Sequence, residues 1–161
     1  MKNRLPDDVK QQCLWIVRGH ERREQWYKTE RQNILNSSSS GFTTYQQNGI
    51  EYRQYAPPLN GYITDIPYIK TLQLDKLENS VKAQQVRAVN NAIKNIGIDI
   101  ENKKLREKLV GAIILNCKDR HKFPYERLDL YIDKNNKISR SAFFRQKDNF
   151  FYEIANCLHI V

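Results

Sequence analysis

The chain has 161 residues, of which 40% are hydrophobic and 28% are charged, and its mean hydropathy is −0.74. This length predicts one domain or two small ones, and no apolar run approaches the ~20 residues that a membrane span needs. The net charge of +9 favours a polyanionic partner, because each phosphate that the protein neutralises releases counterions.

The chain carries few signals for chemistry. Cys13, Cys117 and Cys157 are far apart and form no Cys/His ligand spacing, so we expect reduced thiols and no metal site. No phosphate loop, dinucleotide fingerprint or nucleophile elbow occurs, so we expect neither enzyme activity nor a cofactor. The N-terminal residues lack the charged-then-apolar order of a secretory leader, which predicts a cytoplasmic protein without a membrane partner.

The first predicted helix opens with Pro6 in its first turn, followed by Asp7 and Asp8, which the helix dipole favours. Apolar residues then recur near a helical period as far as Leu35, which predicts one long helix that needs a partner along its seam. The arginines on its outer side either contact phosphate or are solvated beside nearby acids; they are Arg18, Arg22 and Arg23.

Residues 36–68 are rich in Ser, Gly, Pro and Tyr and break the helical pattern. We expect a long irregular loop here, in which residues 49–55 are the one candidate for a short β-ribbon. Its tyrosines could stack on unpaired bases, as in single-strand binders, or pack the loop onto a neighbouring element.

Two more helices are predicted before the last quarter of the chain. One begins near residue 67 or 71 and ends at Asn95, with Gly97 as a suitable C-terminal cap. It either lies antiparallel to the first helix or pairs with a second subunit. The next, Lys103 to Cys117, is apolar nearly all round and is expected at a buried centre.

The last quarter, Phe123 to Val161, predicts two helices joined by a polar turn. Pro124 suits the first turn of one helix, and Ser139 is a good N-cap for the second. Charged, turn-forming residues separate them at Asp133 to Lys137. This is the layout of a helix-turn-helix, whose second helix presents its N-terminal end to DNA; a plain helical hairpin with a basic face is the alternative.

Cationic and small residues off the apolar stripe of the second helix are the candidate DNA contacts. Arginine donates two parallel hydrogen bonds to guanine, and serine bonds either a base or a phosphate. Phe144 could touch a thymine methyl or widen the core. Asp129 and Asp133 could share a metal, but a role in the turn is favoured. The candidate site comprises Ser139, Arg140, Ser141, Phe144 and Arg145, with Lys134, Lys137 and Lys147 on the DNA backbone.

The string ISRSAFFRQKDNFFYEIANCL, which begins at Ile138, resembles the C-terminal signature of phage-encoded transcriptional regulators of the RinA and ArpU type. The matching residues are Ile138 to Ser141, the pair Phe143 and Phe144, Arg145, and Phe151 to Ala155. The resemblance covers the last quarter of the chain and, more loosely, the opening LPDDVKQQCLWIVRGHERR. It departs at residues 146–148, where the family pattern is more uniformly basic, so the target sequence stays open.

This family is similar here to the promoter-reading region 4 of sigma-70 factors. The resemblance implies binding of promoter DNA and activation of late phage genes in the cytoplasm of a bacterial host, with host RNA polymerase as an additional partner. Two other functions stay open: a DNA-packaging protein similar to a small terminase, and a protein–protein interaction or inhibitor module with a basic surface.

The expected fold class is all-α. Residues 1–97 are predicted to form a long helical hairpin or coiled-coil-like oligomerisation arm around the loop at residues 36–68. Residues 98–161 are predicted to form a three-helix unit that carries the helix-turn-helix. The apolar seams of the arm make a homodimer the expected assembly.

Overall fold

The structure, a computed structural model, describes residues 4–37, 42–55 and 66–161, and these residues contain six α-helices and one β-hairpin. The core is built from helices, which confirms the predicted all-α class. The helices are α1 (Asp7–Arg18), α2 (His20–Asn36), α3 (Ile66–Glu78), α4 (Val81–Asn95), α5 (Lys103–Lys118) and α6 (Arg140–Cys157). The strands are β1 (Phe42–Gln47) and β2 (Ile50–Tyr55).

Each of the two long predicted helices is interrupted. Gly19 separates α1 from α2, and residues 79 and 80 separate α3 from α4. Arg23 folds back at the first break and donates from Nη1 to the carbonyl of Ile16 at 2.7 Å. A Cβ at position 19 would lie 2.8 Å from that guanidinium, so the glycine leaves room for this cap on α1. Arg23 is therefore half-buried and is not one of the solvated arginines that we predicted.

Residues 25–80 form one compact unit, which holds most of α2, the β-hairpin and α3. Here α2 and α3 run antiparallel: the Tyr27 hydroxyl donates to the Glu78 carboxylate, and Lys70 Nζ donates to the Leu35 carbonyl at 3.1 Å. Of the helical hairpin expected in residues 1–97, only α2 and α3 form an antiparallel pair in this unit, because α1 and α4 belong to the other compact unit.

The β-hairpin replaces part of the irregular loop that we predicted. Asn48 and Gly49 form its two-residue turn with φ values of 54° and 76°, which a type I′ turn requires. The register pairs Tyr45 with Tyr52, so the ribbon is longer than the predicted residues 49–55. The rest of the predicted loop, residues 38–41 and 56–65, lies outside the described residues.

The second compact unit contains α1, α4, α5 and α6, which share one hydrophobic core. Leu109 of α5 and Phe143 of α6 are fully buried at its centre, together with Cys13 of α1 and Val89 of α4. The predicted boundary after residue 97 does not follow this core, because the apolar stripes of α1 and α4 cover α5 and α6. The C-terminal helices are therefore held by helices from both ends of the chain.

Two glycines in this unit predict opposite effects of alanine. Gly97 has a φ of 62° after the end of α4, and a Cβ there would lie 3.1 Å from Ile100 Cδ1. We expect Gly97→Ala to lower the free energy of unfolding by about 1–2 kcal/mol, since the left-handed conformation disfavours a side chain. Apart from its chain neighbours and the backbone of α5 itself, no described atom comes within 4 Å of a Cβ at Gly111, inside α5. Gly111→Ala should therefore raise stability by about 0.5–1 kcal/mol. Urea denaturation measures both changes in stability. A stabilising effect of Gly97→Ala would contradict the left-handed conformation of Gly97 after α4.

Candidate nucleic-acid interface

The prediction of a first helix in the helix-turn-helix is wrong. The chain from Pro124 to Ile138 is a loop. Only Tyr125–Arg127 form a 3₁₀ turn, and Leu128 is already extended with φ −88° and ψ 138°. Tyr125, Leu128 and Ile132 still pack against the core, as their helical spacing suggested. The spacing therefore reflected burial of these side chains, which an extended chain with turns achieves here without a helix.

A short β-bridge between Tyr131 and Lys137 closes this loop. At its tip, the Asp133 carboxylate accepts from the backbone N–H groups of Asn135 and Asn136, both at 2.9 Å. Hydrogen bonds from the Asn136 side chain and then from these N–H groups lower the pKa of Asp133. Asp133 thus shapes the turn, and the loop leaves Lys134 and Lys137 exposed just before α6.

The start of α6 agrees with the prediction. Ser139 is the N-cap, and its Oγ accepts from the N–H of Ala142 at 3.2 Å. Buried Ile138 anchors the preceding residue, and its carbonyl accepts from the Tyr125 hydroxyl at 2.7 Å. The first turn of α6, all of which the structure describes, carries no acidic side chain. The partial positive charge of this helix end is therefore not neutralised by the turn itself.

The candidate residues on α6 lie on two different stripes. Ser141, Arg145 and Asp148 recur at spacings of four and three, so they share one exposed stripe, which we call the outward face. The Arg145 side chain makes no hydrogen bond or ion pair with any other described residue. Arg140, Phe144 and Lys147 share the neighbouring stripe, which borders the loop after α5.

Arg140 is engaged by its own chain. Its Nη1 lies 2.8 Å from Glu126 Oε1, and its guanidinium lies 5.9 Å from the centroid of the Phe144 ring. The side chains of Arg140 and Glu126 are 67% and 58% exposed, so this ion pair is well solvated. Exposed pairs contribute little, and a polyanion could displace Glu126 at low cost. Phe144 is 37% exposed and packs edge-on against Phe143.

Lys147 does not lie on the outward face. It is half-buried, and its Nζ donates to Asn116 Oδ1 of α5 at 2.7 Å. Burial is the main reason that the pKa of Lys147 is lowered from 10.5. This lysine therefore faces a cleft between α1, the end of α5 and α6, on another surface from Arg145.

Residues 146–148, where the sequence departs from the family pattern, each have a structural role. Buried Gln146 accepts from the N–H of Gly97 at 3.2 Å and donates to Asp99 at 2.9 Å, which joins α6 to the turn after α4. Asp148 forms an ion pair with Lys10 of α1 at 3.3 Å. The position of Gln146 on the apolar stripe, three residues after Phe143, was the signal in the sequence for its burial.

Sequence reasoning missed the contribution of the N-terminal segment. Arg4 and Lys10 border a surface cavity of about 690 Å³ together with Ser141 and Arg145. Nothing in local sequence links these positions, because more than a hundred residues separate them. The described residues contain no cluster of three or more His, Cys, Asp or Glu side chains that could hold a metal.

None of the described helices is both long enough and apolar enough to span a membrane. In comparisons with known proteins, no family model matches the chain, and no curated protein and no solved structure is significantly similar to it.

Proposed function

We propose that this protein binds double-stranded DNA through the outward face of α6 and acts as a transcriptional regulator of phage genes. The observation that carries the proposal is Arg145: an exposed arginine without a partner among the described residues, in the second turn of a helix with a cationic start. The resemblance of residues 138–158 to phage late-gene activators supports the regulatory part.

The shape of this surface suits a duplex groove. Ser141 and Arg145 lie one helical turn apart on the same face, about 6 Å along the axis. The major groove admits an α-helix, and an arginine there can donate two hydrogen bonds to guanine. Because α1 and α4 hold the inner face of α6, Ser141 and Arg145 stay exposed on its outward face.

Phosphate contacts are expected on both sides of this face. Lys134 and Lys137 project from the loop that leads into α6, and both are exposed. Arg4 borders the outward face from the N-terminal segment. Cations that flank a groove-reading helix fix its register on the duplex without reading sequence. This arrangement uses the exposed side of one helix of the four-helix core in place of a tight helix-turn-helix.

The decisive test is Arg145→Ala, measured by fluorescence anisotropy on duplexes from the promoter region that footprinting identifies. If Arg145 reads guanine, we expect the variant to lose about 1–3 kcal/mol of binding free energy on the specific site and much less on random DNA. Arg22→Ala is a matched control, because Arg22 is exposed at the start of α2 and belongs to the same compact unit as α6.

Three outcomes would change the proposal. An equal loss on specific and random duplexes would make Arg145 a phosphate contact only. An unchanged affinity would remove the outward face from the interface. Sedimentation can test the expected homodimer, and a ring-sized assembly would favour a DNA-packaging protein similar to a small terminase.

A protein–protein module is the second candidate, and one observation favours it. Phe144 and Tyr152 are 37% and 38% exposed beside Arg145, and this combination of aromatic rings and arginine is typical of binding hot spots. Such a module should show no salt-dependent affinity for any duplex. A steep loss of duplex affinity with rising salt would favour DNA instead.

A further inference from the structure

A basic cleft lies apart from the outward face of α6. It is a surface cavity of about 760 Å³ between α1, the C-terminal end of α5 and one side of α6. The side chains that matter are Arg18 of α1, Asn116 of α5, Arg120 and His121 of the following turn, and Lys147 of α6. A smaller cavity of about 450 Å³ shares Asn116, Arg120 and His121 and extends to Arg140 at the start of α6.

The carboxylates near this cleft have partners, except for that of Asp7 at the start of α1, which lines the cleft without an ion pair among the described residues. The Asp119 carboxylate accepts from the N–H groups of His121 and Lys122 at 2.9 and 3.0 Å, so it shapes the turn. Glu21 pairs with Lys118 at 2.6 Å. In contrast, Arg18, Arg120 and Lys147 form no ion pair within the residues described.

A buried amide positions Lys147 in this cleft. Asn116 is 1% exposed, and its Nδ2 donates to the Phe123 carbonyl at 2.8 Å. That bond orients the amide so that Oδ1 accepts from Lys147 Nζ at 2.7 Å. An ammonium has three donors, and Asn116 takes one of them. The neutral acceptor orients the lysine without neutralising its charge.

Arg18 is positioned in a similar way. Its Nε donates to the Cys117 carbonyl at 2.9 Å, which leaves the two terminal nitrogens of the guanidinium for another acceptor. Arg18, Arg120 and Lys147 line the same cleft. Burial is the main cause that lowers the pKa of Lys147; repulsion from Arg120 and Arg18 adds to it, while Cys117 and Asp148 act in the opposite direction. Cations held on one surface are stabilised when an anion binds between them.

We propose that this cleft is a binding site for a phosphate group, held by Lys147, Arg120 and Arg18. The site is independent of the DNA-reading role of Arg145, which lies on the other stripe of α6. Guanidinium and ammonium donors match phosphate oxygens, and the charge-assisted hydrogen bonds they form are among the strongest in proteins. The phosphate can belong to a free phosphate ester or to a nucleic-acid backbone.

Titration with inorganic phosphate tests the site without DNA. We expect saturable binding by calorimetry and a rise in melting temperature above that in sodium chloride of equal ionic strength. Lys147→Gln should weaken phosphate binding about tenfold, since one charge-assisted hydrogen bond is lost. Arg120→Gln, at an exposed position outside the core, should weaken it similarly.

Lys104→Gln is the matched control, because Lys104 is exposed in the first turn of α5, at the far end of that helix from the cleft. It should bind phosphate like the natural protein, and so should Arg145→Ala. The absence of saturable binding, or equal binding by the Lys147 and Arg120 variants, would overturn the proposal.

A duplex-binding measurement identifies the source of the phosphate. If Lys147→Gln also weakens duplex affinity and inorganic phosphate competes with DNA, the cleft holds a backbone phosphate. If duplex affinity is unchanged while phosphate binding is lost, the site serves a free phosphate ester. Failure of Arg145→Ala to affect DNA binding would leave the phosphate titration intact, so the two proposals can fail separately.

Discussion

Replacing Phe143 with alanine is expected to lower the free energy of unfolding by about 3–5 kcal/mol. Phe143 is fully buried where α6 meets the rest of the core, and its ring lies 5.7 Å from that of Tyr125. The substitution removes a large apolar side chain and leaves a cavity that close-packed neighbours can fill only in part. Urea denaturation followed by circular dichroism gives the loss directly.

Phe144→Ala is the natural control, because it deletes the same ring from the next residue. Phe144 is 37% exposed, so less apolar area returns to water and we expect a loss of about 1 kcal/mol. Equal losses in the two variants would mean that α6 is rotated about its axis from the orientation described here. That result would also move Ser141 and Arg145 away from the outward face.

Asn116→Ala is expected to cost about 2–4 kcal/mol, because it leaves two polar groups without their partner. The Phe123 carbonyl loses its donor at 2.8 Å, and the half-buried ammonium of Lys147 loses its acceptor at 2.7 Å. Asn156→Ala, on the exposed side of α6, should change stability by less than about 0.5 kcal/mol. If Asn116→Ala also loses less than about 0.5 kcal/mol, water satisfies the Phe123 carbonyl and the Lys147 ammonium in the variant.

The loss in Asn116→Ala should depend on pH. Burial lowers the pKa of Lys147 from 10.5, so the unfolded chain binds more protons than the folded chain between the lowered pKa and 10.5. The penalty of the buried charge is therefore present at neutral pH and disappears as pH rises through this window. Without Asn116 the penalty is larger, so the difference between variant and natural protein should shrink near pH 10. If the difference in stability between Asn116→Ala and the natural protein stays the same at every pH, Asn116 does not stabilise the charged form of Lys147.

Several elements could be predicted because their signals are local. α5 was expected at Lys103 to Cys117 and runs from Lys103 to Lys118, with Asn102 accepting from the N–H of Leu105 as its cap. Ser139 caps α6 as its hydroxyl predicted, and Gly97 has the positive φ expected after α4. Capping hydrogen bonds and left-handed glycines act within four residues, so one sequence suffices to find them.

Among the predicted site residues, those whose exposure depends on local spacing could be predicted, and those positioned by distant residues could not. The exposure of Ser141 and Arg145 on one side of α6 follows from the spacing of the apolar residues within that helix. Lys147 has the same local signals, but Asn116 of another helix draws it into the cleft. Arg18 and Arg120 line the same cleft only because α1 packs beside the end of α5.

By itself, the sequence determined the helical class, the start of α6 and the net positive charge, because these depend on residue types and short spacings. Tertiary structure alone decided that residues 124–138 form a loop and that Gln146 is buried against Gly97. It also decided which cations share a surface. The physical reason is that apolar spacing states which side chains must be buried, while the partners that bury them come from distant parts of the chain.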